Sequence, residues 1–122
     1  MAKVLIIEDN ATNMTLAVFL LQSAGYTVVS ATDAETGLTL ARDEHPDLIL
    51  MDIQLPGMDG LQATALLKRD EATRAIPVIA LTALAMKGDE ERIRAAGCDG
   101  YIAKPMRYQE FLATIAAQLA RT

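Results

Sequence analysis

Tryptophan is absent, aromatic residues make up only 4% of the chain, and cysteine and histidine occur once each, as Cys98 and His45. A lone cysteine closes no internal disulfide and offers no metal-ligand spacing, which points to a reducing compartment. Cys98 follows Gly97 with no basic neighbour to lower its pKa, so it reads as a structural thiol. His45 precedes Pro46 in a loop and reads as a surface residue, because a phosphohistidine donor needs an exposed helix face. No apolar run is long enough to cross a bilayer. The chain opens Met-Ala-Lys-Val-Leu-Ile-Ile and enters a strand at once, so no signal peptide is expected. There is no basic run, and the net charge of −5 argues against nucleic acid as a direct partner. Repeats, linkers and low-complexity stretches are missing as well. What is present is 122 residues, 52% of them hydrophobic, which suits one soluble, cytoplasmic domain with a single core.

Short apolar runs alternate with helical patterns. Lys3–Ile7 leads into Glu8-Asp9-Asn10 and a helix with Leu16, Phe19, Leu20 and Ala24 on one face, Asn10 as N-cap and Gly25 as its closing glycine. Thr27–Ala31 is a second strand. Thr32-Asp33-Ala34-Glu35 then has the capping-box pattern and opens a helix through Leu38 and Ala41, which Pro46 prevents from continuing. Leu48–Met51 is the third strand, Gly60–Lys68 the third helix and Val78–Leu81 the fourth strand. Lys87–Ala96 reads as a helix closed by Gly97, with Ile93 its one large apolar residue. Gly100–Ala103 is the fifth strand, and a last helix from about Arg107 shows Tyr108, Phe111, Leu112, Ile115 and Leu119 on one face. Five strands alternating with five helices predict an α/β, flavodoxin-like (βα)5 fold, a doubly wound parallel sheet of strand order 2-1-3-4-5.

In such a sheet, ligands bind beyond the carboxyl ends of the strands, near the point where the strand order reverses. The first polar residues after the central strands are Glu8-Asp9, Asp52, Thr82 and Lys104. Side by side, they make a row of acids, acid, hydroxyl and ammonium. Neighbouring strands lie about 4.8 Å apart, which brings Asp9 and Asp52 into direct electrostatic range. Three carboxylates so close call for a counter-charge. A sparse set of oxygen ligands suits Mg²⁺, which keeps several waters and completes its shell from phosphate. Asp52 has the metal-holding pair on one side and Thr82 with Lys104 on the other, so it is the candidate nucleophile for an aspartyl-phosphate. The competing reading is an acidic rim with a structural lysine.

Glu8-Asp9, Asp52, Thr82-Ala83 and Lys104-Pro105, with the loop Pro56-Gly57-Met58-Asp59-Gly60, resemble the receiver domain of two-component response regulators across essentially the whole chain. Within that family, the stretches around Asp52, Thr82 and Lys104 look most like the DivK-type single-domain regulators of polar development and cell division. The resemblance implies transfer of a phosphoryl group from a phosphohistidine, on a sensor histidine kinase or a histidine phosphotransfer protein, to Asp52 with Mg²⁺. It implies metal ligation by Asp9 and Asp52 directly, by Glu8 through water and by the Gln54 backbone carbonyl. It also implies that Lys104 binds a phosphoryl oxygen and that the Lys104–Pro105 bond is cis. Tyr101, three residues before the lysine, would turn inward when Thr82 engages the phosphoryl group.

Such a protein is a phospho-acceptor rather than an enzyme acting on an outside substrate. The chain ends after the fifth helix, so the expectation is one receiver domain over residues 1–122 with no output domain. Its output would be contact with downstream protein targets through the fourth helix, fifth strand and fifth helix, as a monomer or weak dimer. The fourth helix, rich in Asp89, Glu90, Glu91, Arg92 and Arg94, is held weakly by packing and suits a mobile element. Met86 and Met106 flank that face, and Gln54 and Leu84 flank the path of attacking water. Two other classes fit less well. A Mg²⁺-dependent aspartyl-phosphate phosphatase would place its nucleophile after the first strand with a second acid two residues on, where this chain has Ala11. A flavin- or nucleotide-binding module would need a glycine-rich or Ser/Thr-rich phosphate loop after the first strand, where Asn10-Ala-Thr-Asn13 follows two acids.

Overall fold

Strands that are apolar on both sides must be covered on both sides, and the three central strands have that character. A computed structural model describes residues 2–83 and 87–121. Its strands β1 (Lys3–Ile7), β2 (Thr27–Ala31), β3 (Leu48–Asp52), β4 (Val78–Thr82) and β5 (Gly100–Ala103) form one sheet in the order β2-β1-β3-β4-β5. All pairs are parallel. Helices α1 (Ala11–Ser23), α2 (Ala34–Glu44), α3 (Gly60–Arg69), α4 (Lys87–Ala95) and α5 (Tyr108–Ala120) connect or follow the strands. This is the doubly wound, flavodoxin-like arrangement expected from the alternation. β3 and β4 each run one residue further than the apolar pattern indicated, taking in Asp52 and Thr82.

Alternate residues of each strand feed two separate cores. Leu5, Ile7, Ile49 and Met51 pack against α2, α3 and α4 through Ala41, Leu67 and Ile93. Val4, Ile6, Leu48 and Leu50 pack against α1 and α5 through Leu20, Leu21, Phe111 and Ile115. Among the described residues, no helix is long and apolar enough to cross a membrane.

Two helix faces and one helix cap depart from the sequence reading. The buried stripe of α1 is Ala17, Leu20 and Leu21, while Leu16 and Phe19 are exposed. The helix is apolar nearly all round, so two stripes share the same three-and-four spacing and only one can face the sheet. On α5, Phe111 and Ile115 are buried but Tyr108 points outward, 58% exposed. At α2 the N-cap is Asp33, not Thr32: its carboxylate accepts from Thr36 N at 2.7 Å and from the Thr36 hydroxyl at 3.1 Å. A carboxylate is the stronger acceptor at a helix start, and this shifts the cap by one residue and leaves Glu35 too early to close a box. A reciprocal capping box does form at α3, between Asp59 and Gln62.

At the amino edge of the sheet, buried chain ends are stitched by side chains. Asp99 accepts from Val78 N at 2.8 Å and from Lys68 Nζ at 3.2 Å, while Lys68 also donates to the Ile76 carbonyl at 2.9 Å. Gly97, at φ 109°, ends α4 over the Lys68 stem. Cys98 lies buried beside the Thr64 hydroxyl, and burial pushes its thiol pKa up, in keeping with a structural role.

At the opposite edge, α3 starts hard against the strand that precedes it. A Cβ on Gly60 would collide with the Asp52 carbonyl and come within 2.7 Å of Ile53 Cα, which are backbone atoms that cannot swing aside. Gly60→Ala gains about 0.5–1 kcal/mol of helix propensity against an overpacking cost of about 2–3 kcal/mol. A net loss of about 1–2 kcal/mol is expected, read as a lower urea midpoint with an unchanged slope.

Candidate functional site

Register decides which polar residues meet. Ile7 pairs with Met51, so the next residues, Glu8 and Asp52, leave the sheet side by side. Asp52 pairs with Leu81 and Thr82 with Ala103, which puts Thr82 and then Lys104 one step further along the same edge. Lys104 N donates to the Thr82 carbonyl at 2.8 Å, and the Lys104–Pro105 peptide bond is cis. Thr82 is fully buried at the end of β4.

The Lys104 ammonium lies between two buried carboxylates. Its Nζ is 3.0 Å from Asp52 Oδ2 and 2.8 Å from Glu8 Oε1. The contact with Asp52 is a hydrogen bond. The contact with Glu8 is an ion pair only, and Glu8 Oε1 has no hydrogen bond of good angle although it is wholly buried. The other oxygens are held by backbone: Glu8 Oε2 accepts from Asn10 N at 3.2 Å and Asp52 Oδ1 from Gln54 N at 2.9 Å. Asp9 is exposed, and its carboxylate joins those of Glu8 and Asp52 within 4.8 Å of one another.

This crowding shows in the protonation of Glu8. Burial, and then the hydrogen bond and charge of Asp52, push its carboxyl pKa from 4.5 to about 7, against the opposing pull of Lys104 and the Asn10 N–H. Burial alone would lower the Lys104 ammonium, but Glu8 and Asp52 outweigh it and its pKa rises. Three acids thus share one resident cation. An oxygen-only donor set with a buried, under-bonded carboxylate oxygen fits a hard divalent cation such as Mg²⁺.

The remaining residues singled out from the sequence fall around this row. Gln54 is exposed, two residues beyond Asp52. Tyr101 pairs with Ala80, packs half-buried against the α2–α3–α4 side, and directs its hydroxyl to Glu90 Oε2 at 3.5 Å. On α4, Asp89–Arg92 and Glu90–Arg94 form ion pairs at 3.3 and 3.6 Å; Glu91 joins neither. Leu84 and Met86 lie outside the described residues. His45 is exposed and ends α2 with φ 48°.

Two features were not anticipated. Lys104 pairs with Glu8 as well as Asp52, the β1 and β3 ends having set the two carboxylates side by side. The exposed flank of α1 is apolar: Leu16 and Phe19, 39% and 66% exposed, line an open hollow of about 500 Å³ with Ala11, Thr12 and Thr15. The signal was in the sequence, since no charged residue occurs from Asn10 to Thr32.

The raised Glu8 pKa carries a sign. The folded protein keeps a proton that the unfolded chain releases, so in metal-free buffer this group makes stability fall as pH rises from about 4.5 to 7. Glu8→Gln mimics the protonated form. Its stability relative to the parent is expected to climb through that window and level off above it, as read from urea midpoints at successive pH values.

The response regulator receiver domain family matches residues 4–116. The polar-differentiation response regulator DivK of Brucella ovis is 53% identical over 116 residues, covering 95% of this chain and 94% of that protein; the one from Brucella anthropi is 52% identical over the same length. The receiver domain of a Pseudomonas aeruginosa sensor histidine kinase, solved with magnesium in its active-site cleft, superposes with a TM-score of 0.91 at 36% identity, covering 98% of each chain. Vibrio cholerae chemotaxis protein CheY4 gives 0.91 at 27% identity, covering 96% of this chain and 98% of its own. The row of acids, hydroxyl and lysine along one sheet edge is therefore that of a signalling protein, and the chain belongs to the response regulator receiver domain family and is DivK-like over 95% of its length.

Proposed function

We propose that Asp52 accepts a phosphoryl group from a partner's phosphohistidine. The carrying observation is the position of its carboxylate: buried, clustered with the acids Glu8 and Asp9, and 3.0 Å from the Lys104 ammonium that it shares with Glu8. In the transfer, an Asp52 oxygen forms a bond to phosphorus as the phosphorus–nitrogen bond breaks, and the electron pair leaves with the donor imidazole. The product is a carboxyl-phosphate anhydride, and the water that later hydrolyses it returns the carboxylate. Gln54 N–H already holds Oδ1, which leaves Oδ2 to attack once Lys104 swings from the carboxylate to a phosphoryl oxygen.

Glu8, Asp9, Asp52 and the Gln54 carbonyl are the groups that would hold Mg²⁺. When bound, the cation supplies positive charge against the acids and the incoming phosphoryl oxygens. Thr82 is the hydroxyl that takes a further phosphoryl oxygen, and Tyr101 is the residue that reports it. Loss of the contact to Glu90 would let the Tyr101 ring move inward. The face formed by α4, β5 and α5 thereby gains two states whose balance phosphorylation shifts.

Donor docking belongs to α1. Its uncharged outer flank begins two residues after Asp9, and the hollow around Phe19 fits the apolar side of a helix that carries the phosphohistidine. The partners in this reading are a sensor histidine kinase or histidine phosphotransfer protein upstream and protein targets downstream. The protein works in the cytoplasm as a single receiver domain, monomeric or weakly dimeric, in polar-development or cell-cycle signalling; the Brucella relatives are named for polar differentiation. It catalyses no reaction of an outside substrate.

Two measurements test this. With acetyl phosphate and Mg²⁺, one acid-stable, base-labile phosphate per chain is expected, and it must vanish in Asp52→Asn. Label that persists in this variant removes Asp52 as the acceptor. In the second, Phe19→Ala should slow transfer from a phosphorylated histidine donor by about tenfold or more, the scale of a lost apolar anchor, and leave labelling by acetyl phosphate unchanged. Equal slowing with both donors would assign Phe19 to stability instead of docking.

A further inference from the structure

The side of the sheet covered by α2 and α3 carries a surface that the phosphoryl chemistry does not use. Leu38 and Arg42, one turn apart on α2, face Leu66, Arg69 and Asp70 at the end of α3 across a cleft of about 290 Å³. Beyond the same ridge, Met58, Gln62 and Ala65 line a second cleft of about 410 Å³ that shares Leu66 and Arg69 with the first. α3 buries Ala63, Thr64 and Leu67 against the sheet. Leu66 stands outside that stripe, 41% exposed, a large apolar side chain between two hollows.

Charge narrows what can lie there. The chain carries a net −5, yet the lower end of this groove presents two arginines. Arg42 Nε is 3.6 Å from Asp70, and both side chains are over a third exposed, so the pair contributes little and is easily exchanged. Among the described residues Arg69 makes no ion pair. Of the other acids nearby in the chain, Asp33 and Glu35 line a separate hollow with Pro56 and Gly57 past Met58, and Asp43 and Glu71 line neither cleft. An apolar floor with two guanidinium forks at one end selects an amphipathic helix whose leucine-type residues are flanked by carboxylates.

We infer that the α2–α3 groove around Leu66 docks an acidic amphipathic helix of a partner protein. Apolar side chains of that helix seat on Leu38 and Leu66, and its carboxylates meet Arg42 and Arg69. α1 and α5 cover the other side of the sheet, so a phosphoryl donor on α1 and a helix in this groove can be bound together. The groove is also one helix away from the acceptor, because α3 starts at Gly60 against the backbone of Asp52 and Ile53.

The test titrates methyl-labelled protein with a synthetic helical peptide that repeats leucine and glutamate at heptad spacing, and with its glutamate-to-lysine counterpart. Saturable shifts of the Leu38 and Leu66 methyls are expected with the acidic peptide and not with the basic one. The double variant Arg42→Glu/Arg69→Glu should bind the acidic peptide at least tenfold more weakly and gain affinity for the basic one. Leu66→Ala should weaken the acidic peptide with the charges intact, and both variants should still take phosphate from acetyl phosphate at the parental rate. Shifts centred elsewhere, or equal affinity for both peptides, overturn the inference. So do concentration-dependent shifts of the same methyls without peptide, which would make the groove a contact between copies of this chain.

Discussion

One ammonium group, Lys104 Nζ, bridges two buried carboxylates at the end of the sheet, and the carboxyl edge is arranged around that contact. Removing one partner of a buried ion pair costs about 3–5 kcal/mol. Here the arrangement is short of positive charge even when intact, since Asp9 adds a third acid. Glu8 answers by holding a proton up to about pH 7. A cation held by the three acids would relieve that deficit, and the phosphoryl group proposed for Asp52 would deepen it.

The edge exists because the strands are so uniformly apolar. β3 and β4 are buried along their whole length and β1 from Val4 onward, so at the carboxyl edge the first residues able to carry charge are those at or just past the strand ends. Parallel pairing then brings all of these ends to the same side, and register sets their order. The site needs no dedicated loop to assemble it; the loops that follow supply backbone groups, such as the Asn10 and Gln54 N–H donors, that fix the carboxylates in place.

That logic also explains what could be read in advance. Strand positions and sheet order followed from continuous apolar runs, and the row of acids, hydroxyl and lysine followed from where those runs stopped. Helix faces were less legible. α1 offers Leu16, Phe19 and Leu20 at the same spacing as Ala17, Leu20 and Leu21, and only packing against the sheet distinguishes them. Thr32 and Asp33 are both competent caps, and the choice was made by acceptor strength. The second arm of Lys104, to Glu8, depended on side-chain reach across two strands, which strand spacing alone left open. Tyr101 was placed correctly on its strand, but its hydroxyl partner lies on α4, an element whose side chains the strand pattern does not position.

The stitch at the amino edge has a consequence for how the molecule deforms. Lys68, Asp99 and the Val78 N–H fasten α3, β4 and the start of β5 to one another at the end away from the acids. The sheet is thus clamped at one margin and electrostatically loaded at the other. In the proposed reading, a change of charge at Asp52 acts on the margin opposite this stitch, beside the ends of β4 and β5.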